Sequence, residues 1–402
     1  MGETEAFRSL AWVLGVAALT PILLGLLPRV RLPEVVLLLA LGMTIGPYGL
    51  ELAHVHGQVQ FVSDLGLGML FLLAGMEVDP LEIRTRDGAR AVTAWLLSLA
   101  AAVAWMFLLG EIVGIPAWGA IAIAMTSTAL GTLLPMLRDT GLQQQEIGRL
   151  VLANGAIGEF GPILAMSVFL GQGSTWGALL SLLTFVLIAL VVGFLLVRHS
   201  PRAERVIGVV RRGAETTAQA PVRLVVLLLA VMLATSASLG LDVILGAFVA
   251  GGIIRMLLPE DHSAISDRLD GIGYGFLIPV FFVVSGMGID PAELLHHPGR
   301  VLFVFVSILL LRGGPVVAVF RHLDRRLRLQ LGLFSATGLP IIVAVTAVAV
   351  DSGQMTHAGQ SIVVGAGMLT VLLLPVLALS LHVGGDAAAA PYGGVSGKGG
   401  GG

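Results

Sequence analysis

Apolar runs of about 20 residues recur along this sequence from residue 9 to residue 383, and each is long enough to cross a bilayer as a helix. Charged residues make up only 12% of the 402-residue chain, against about 25% in an ordinary soluble domain. The chain is therefore read as an all-α, multi-pass membrane protein. Thirteen transmembrane helices are expected at roughly 9–27, 32–50, 59–78, 91–109, 116–137, 148–171, 176–197, 222–239, 241–258, 272–288, 300–320, 328–350 and 360–383. The first follows MGETEAFR, which is not a basic leader, and is read as a retained helix.

Arginine placement tests this count. Outside Arg8, Arg312 and the tail residue Lys398, twenty basic residues remain, and nineteen fall in odd-numbered loops or at the span ends that flank them. The exception is Arg300. Basic loops stay cytoplasmic, which puts the N-terminus outside and the C-terminus in the cytoplasm of a cell (inner) membrane protein. Thirteen spans divide as six, one and six. Spans one to six and eight to thirteen then run in opposite directions, an inverted repeat of the transporter kind, with its site at mid-membrane where the halves meet. The long basic linker between spans seven and eight is expected to contact anionic lipid headgroups. Residues 384–402 form a Gly- and Ala-rich tail, read as disordered, with no soluble regulatory domain after the membrane part.

Composition also excludes chemistry. No cysteine is present, so disulfides, thiol redox chemistry and thiolate metal sites are ruled out. A net charge of −2 gives no sign of a nucleic-acid partner. No HExxH, Walker or GxSxG pattern occurs, and GIGYG at 271–275 opens a span rather than forming a nucleotide loop. The chain is not expected to be an enzyme and needs no cofactor.

The polar residues inside the spans are few. Glu159 lies near the middle of the sixth span, where a charge costs roughly 3 kcal/mol and ordinarily faces a water path or a partner. Pro162 follows three residues later. It has no N–H, so the carbonyl of Gly158 loses its helix partner beside the carboxylate, and such oxygens suit a hard cation. Gly155 and Gly158 leave room for close approach. Arg312 is the basic residue at mid-depth of span eleven, either paired with Glu159 or acting on it through proximity. Span five carries Thr126, Ser127 and Thr128 at its middle. Span twelve carries Ser335, Thr337, Gly338 and Pro340 at the corresponding place of the second half, the pattern of interrupted helices at a transport site. The candidate cation- and proton-binding set, including the metal position at Glu159, is Glu159, Gly158, Thr126, Ser127, Thr128 and Asn154. Arg312 is the charge-compensating residue, and Ser335, Thr337 and Pro340 mark the second crossing helix. Asp64 and Asp242 are expected at a cavity mouth or in structural roles. Glu34, Glu77 and Asp79 fall at the cytoplasmic boundary, and Gly42 and Gly46 form a close-packing GxxxG.

Several stretches resemble the monovalent cation:proton antiporters, nearest to the bacterial branch with the potassium-efflux transporters. RLPEVVLLLALGMTIGPYGL is similar to that family's second span, DLGLGMLFLLAGMEVDP to its third and TSTALGTLLPMLRDTG to its fifth. GAFVAGGII and FLIPVFFVVSGMGID are similar to the ninth and tenth. The resemblance covers about 9–383 and implies a membrane antiporter domain. Its core would be spans 4–6 and 11–13 and its dimerisation part spans 1–3 and 8–10, with span 7 as linker. It further implies a homodimer, elevator motion of the core, two crossing broken helices and exchange of Na+ or K+ for H+. Glu159 falls on the family's ion-binding Asp and Arg312 on its basic residue of span eleven. Where the family usually has Asp-Asp, Asn-Asp or Gln-Asp, this chain has Gly158-Glu159. A single acid with Arg implies electroneutral exchange. The alternative is an inverted-repeat symporter or uniporter of a small organic anion bound by Arg312.

Overall fold

The computed structural model describes residues 3–26, 32–77, 85–113, 118–169, 175–198, 219–257 and 263–381, and every regular element among them is helical. Asp79, most of the basic linker and the Gly-rich tail lie outside the described residues. The elements are α1 (Glu3–Leu26), α2 (Glu34–Ile45), α3 (Gly57–Glu77) and α4 (Arg86–Val113). Next come α5 (Trp118–Ala124), α6 (Leu130–Asp139), α7 (Glu146–Phe169) and α8 (Thr175–Arg198). The second half holds α9 (Ala220–Ser238), α10 (Val243–Leu257), α11 (Ser263–Ile272), α12 (Ile278–Met287), α13 (Pro291–His296) and α14 (Pro298–Ile308). It ends with α15 (Gly314–Val319), α16 (Arg325–Ser335), α17 (Pro340–Asp351) and α18 (His357–Ser380). Single π turns, Gly273–Leu277 and Leu309–Gly313, join α11 to α12 and α14 to α15 without a break.

Among the described residues, nine helical runs are long and apolar enough to cross a membrane, and Glu34–Ile45, Leu180–Val191 and Val243–Leu257 are shorter apolar helices. Most have little amphipathic character, as expected where lipid replaces water around the outer helices. Burial separates their places. In α7, 78% of the apolar window is buried, against 22% in α1 and 28% in α9, so α7 runs through the interior and the other two face outward.

Two helix pairs approach through glycine. Between α3 and α10, a Cβ on Gly251 would strike the Leu72 carbonyl and lie 2.9 Å from the Gly75 Cα. Between α2 and α12, the Gly42/Gly46 face lies against Val283, Gly286 and Met287. Without a hydrophobic force between helices in lipid, such backbone-to-backbone contact supplies the packing. Gly251→Val should therefore lower stability by about 2 kcal/mol or more through overpacking. The check is thermal unfolding in detergent, with Gly252→Ala as control, since nothing lies within 4 Å of a Cβ there. Equal melting of both variants would contradict this packing. Around α7, helix α4 packs on α5 and α7, while α16 and α17 pack on α18.

Candidate functional site

The two interruptions expected from the sequence are present, and each satisfies the other's backbone. Helix α5 stops at Ala124 because the next hydroxyls turn back on it: Thr126 Oγ1 donates to the Ile123 carbonyl and Ser127 Oγ to the Ala124 carbonyl, both at 2.8 Å. Helix α16 stops at Ser335, and Pro340, lacking an N–H, starts α17 at its first turn. Between the breaks, the Ala129 N–H donates to the Thr337 carbonyl at 2.6 Å, and the Thr128 hydroxyl donates to the Ser335 carbonyl at 2.6 Å. Unwound backbone at membrane depth persists only where protein supplies such partners.

Helix α7 passes this crossing as a continuous helix despite Pro162. The carbonyl that the proline deprives of a helix donor does not stand open: the Thr128 N–H donates to Gly158 O at 2.9 Å. The next residue, Glu159, turns its carboxylate to the start of α6. Its Oε1 accepts from the Leu130 N–H at 2.8 Å and the Gly131 N–H at 3.4 Å. Helix N-termini carry unsatisfied N–H groups and partial positive charge, so an anion is favoured there. Oε2 has no protein partner.

Arg312, wholly buried on the second π turn, does not reach this carboxylate. Its Nε and Nη2 donate to Thr128 Oγ1 at 3.1 and 3.0 Å, and Nη2 also donates to the Asn154 carbonyl at 3.0 Å. Of the two sequence readings, the direct pair is not formed. The guanidinium instead ties α7 to the first break, and through Thr128 to the second. Gly158 makes this possible, because a Cβ there would meet Thr128 Oγ1 and lie 2.6 Å from Arg312 Nη2. Asn154 itself donates through Nδ2 to the Leu150 carbonyl at 2.9 Å.

Two cavities flank the crossing. One, about 600 Å³, is lined by Glu159, Gly131, Thr132, Thr337, Pro340, Tyr274, Glu34 and Glu77. The other, about 890 Å³, is lined by Asp64, Asp242, Asp351, His54, His56 and His357, with Met166 and Ser167 of α7 in its wall. They open at opposite ends of α2 and α3: Glu34 and Glu77 belong to one cavity, Pro47 and Gln60 to the other. Glu159 is thus 5% exposed at the first cavity rather than sealed in hydrocarbon.

The structure brings Glu159, Gly158, Thr128, Asn154, Arg312, Ser335, Thr337 and Pro340 together. It turns the hydroxyls of Thr126 and Ser127 onto their own helix instead. Glu77, expected only at the cytoplasmic boundary, shares the Glu159 cavity, as does Tyr274, which sequence reasoning did not single out. For Glu77, depth alone placed it at a boundary. For Tyr274, the signal was a lone aromatic among the glycines of GIGYG.

A family profile described as "Sodium/hydrogen exchanger, transmembrane" matches residues 14–379. The antiporter YjbQ of Bacillus subtilis, named for Na+/H+ exchange, is 27% identical over 391 residues, covering 92% of this chain and 61% of YjbQ. KefC of Escherichia coli K12, a glutathione-regulated potassium-efflux system protein, is 26% identical over 339 residues, covering 81% of this chain and 52% of KefC. The chain therefore spans little more than half the length of these two relatives. The sodium proton antiporter MjNhaP1 of Methanocaldococcus jannaschii has a similar fold, with a TM-score of 0.64 and 19% identity. That likeness covers 94% of this chain and 99% of MjNhaP1.

Proposed function

The chain belongs to the sodium/hydrogen exchanger family, and from that premise we propose that it exchanges Na+ or K+ for H+ by competition at Glu159. One observation carries the reading: a carboxylate on a cavity-lining residue, held by one oxygen at a helix N-terminus, with its other oxygen buried and unpartnered. One carboxylate takes a proton or a monovalent cation, and either one neutralises it. A neutral site can cross a dry barrier that resists the bare charge. Competition for that oxygen then couples the two flows.

Exchange is one for one on this reading. Arg312 is a fixed cation, engaged with Thr128 and the Asn154 carbonyl, and lines neither cavity. It is therefore placed neither to carry a second proton nor to bind an organic anion. Oxygen ligands beyond Glu159 come from the crossing, where Thr337 lines the same cavity.

Thirteen spans in an inverted six-plus-six arrangement fit the helix order, with α4–α7 and α14–α18 as the moving core. Helices α1–α3 and α9–α12, joined by the glycine seams, form the static and dimerising part, and α8 is the linker. The positive-inside rule puts the Glu159 cavity on the cytoplasmic side of the cell membrane.

The test is dye-monitored exchange in proteoliposomes against Na+, K+ and Li+ across pH. Saturable cation-driven proton movement is expected, with the apparent cation KM rising as pH falls because protons compete for the same oxygen. An imposed membrane voltage should leave the end-point unchanged. A cation KM independent of pH would exclude competition, and a voltage-shifted end-point would exclude one-for-one exchange.

A further inference from the structure

Tyr274 lines the Glu159 cavity from a different helix pair, the junction of α11 and α12. It sits on the π turn Gly273–Leu277, and the extra residue of such a turn re-aims a side chain, which is why π turns recur at functional sites. Its flanks are bare. A Cβ on Gly271 or Gly275 would have nothing within 4 Å, and Gly273 is pressed against Leu73 and Met69 of α3. Tyr274 is 44% exposed and lines the cavity.

Its hydroxyl ends close to the carboxylate's own donors. At Gly131 an added Cβ would have one heavy atom within 4 Å, the Tyr274 Oη at 3.5 Å. The Gly131 N–H is one of the two groups that hold Glu159 Oε1. A neutral oxygen therefore lies beside the start of α6, in the cavity that Glu159 also lines, and the buried Oε2 of Glu159 has no partner. A phenol oxygen has acceptor capacity, and alkali cations take oxygen ligands. A proton on the carboxylate needs no second ligand.

We propose that the Tyr274 hydroxyl is a specificity-determining oxygen for the exchanged cation, supplying a neutral ligand beside the start of α6 when the cation enters from this cavity. The proposal rests on reading Glu159 as the exchange site. Because it concerns cation binding and not protonation, it separates KM from maximal rate. Tyr274→Phe keeps the ring and its packing and removes only the oxygen. It should raise the apparent KM for the transported cation about five-fold, the size of one lost polar contact, with the maximal rate kept. At fixed cation, the acid limb of the activity profile should move to higher pH, since a weaker cation competes less well with protons. The ratio of Na+ to K+ KM should also change.

The same proteoliposome assay carries Glu159→Gln as its reference. Exchange persisting in Glu159→Gln would refute the parent reading. A dead Glu159→Gln beside a Tyr274→Phe with wild-type KM for Na+, K+ and Li+ would overturn the role of Tyr274 and leave the parent reading standing.

Discussion

Glu159→Gln is expected to abolish cation-driven proton movement, with a rate at least about 100-fold below wild type, equivalent to roughly 2.7 kcal/mol of lost barrier lowering. The amide has the same shape, and its oxygen can still accept from the Leu130 N–H. It cannot release a proton, and it offers no charge to balance a cation. Folding should survive, because a neutral group at a buried position avoids the cost of burying a charge. Melting at or above the wild-type temperature, together with lost exchange in pH-dye proteoliposomes, is the expected pair of results. A well-folded Gln variant exchanging within two-fold of wild type would remove Glu159 from the mechanism.

The second large effect concerns Gly158 and Arg312. Gly158→Ala places a methyl where it meets Thr128 Oγ1 and lies 2.6 Å from Arg312 Nη2. Both neighbours are wholly buried, so neither can swing into open space. Overpacking of this kind costs about 1–3 kcal/mol, and at this position it also disturbs the crossing. Exchange should fall at least about ten-fold, the equivalent of 1.4 kcal/mol. Arg312→Ala acts from the other side. It removes the guanidinium's bonds to Thr128 Oγ1 and the Asn154 carbonyl, at about 1.5–3 kcal/mol for each hydrogen bond from a charged donor. Since both changes break one contact, the double variant Gly158→Ala/Arg312→Ala should lose less stability than the two single losses added. Thermal unfolding of the three variants measures that coupling. Strict additivity would show that the glycine and the guanidinium are independent.

Much of this site is legible from residue types. Thr126 to Thr128 and Ser335 to Pro340 announce breaks because hydroxyls and proline compete with helix hydrogen bonds, and those breaks are where the helices part. Glu159 stands out because a mid-membrane acid is costly. What the residue types do not carry is partner choice. Arg312 and Glu159 are opposite charges at matching depth, yet Arg312 goes to Thr128 and the Asn154 carbonyl. The Gly158 notch that admits it is a property of three-dimensional contact. Pro162 does orphan the Gly158 carbonyl in its own helix, but the replacement donor, the Thr128 N–H, is 30 residues back in sequence and invisible to helical periodicity. Tyr274 escapes notice for a different reason. The π turn shifts the face count by one residue, so a regular 3.6-residue period does not report where the ring points.

Helix α7 bears Glu159 in one cavity wall and Met166 and Ser167 in the other. At 1.5 Å per residue those positions are only about 10–12 Å apart, against a hydrocarbon layer of about 30 Å. Filled with water, the two cavities would thin the insulator to a septum and concentrate the transmembrane voltage across it. A bare carboxylate crossing that septum would work against about 2.3 kcal/mol for every 100 mV. The proton-loaded and alkali-ion-loaded sites carry the same charge, Arg312 included, so on the proposed one-for-one exchange that field favours neither direction of the cycle.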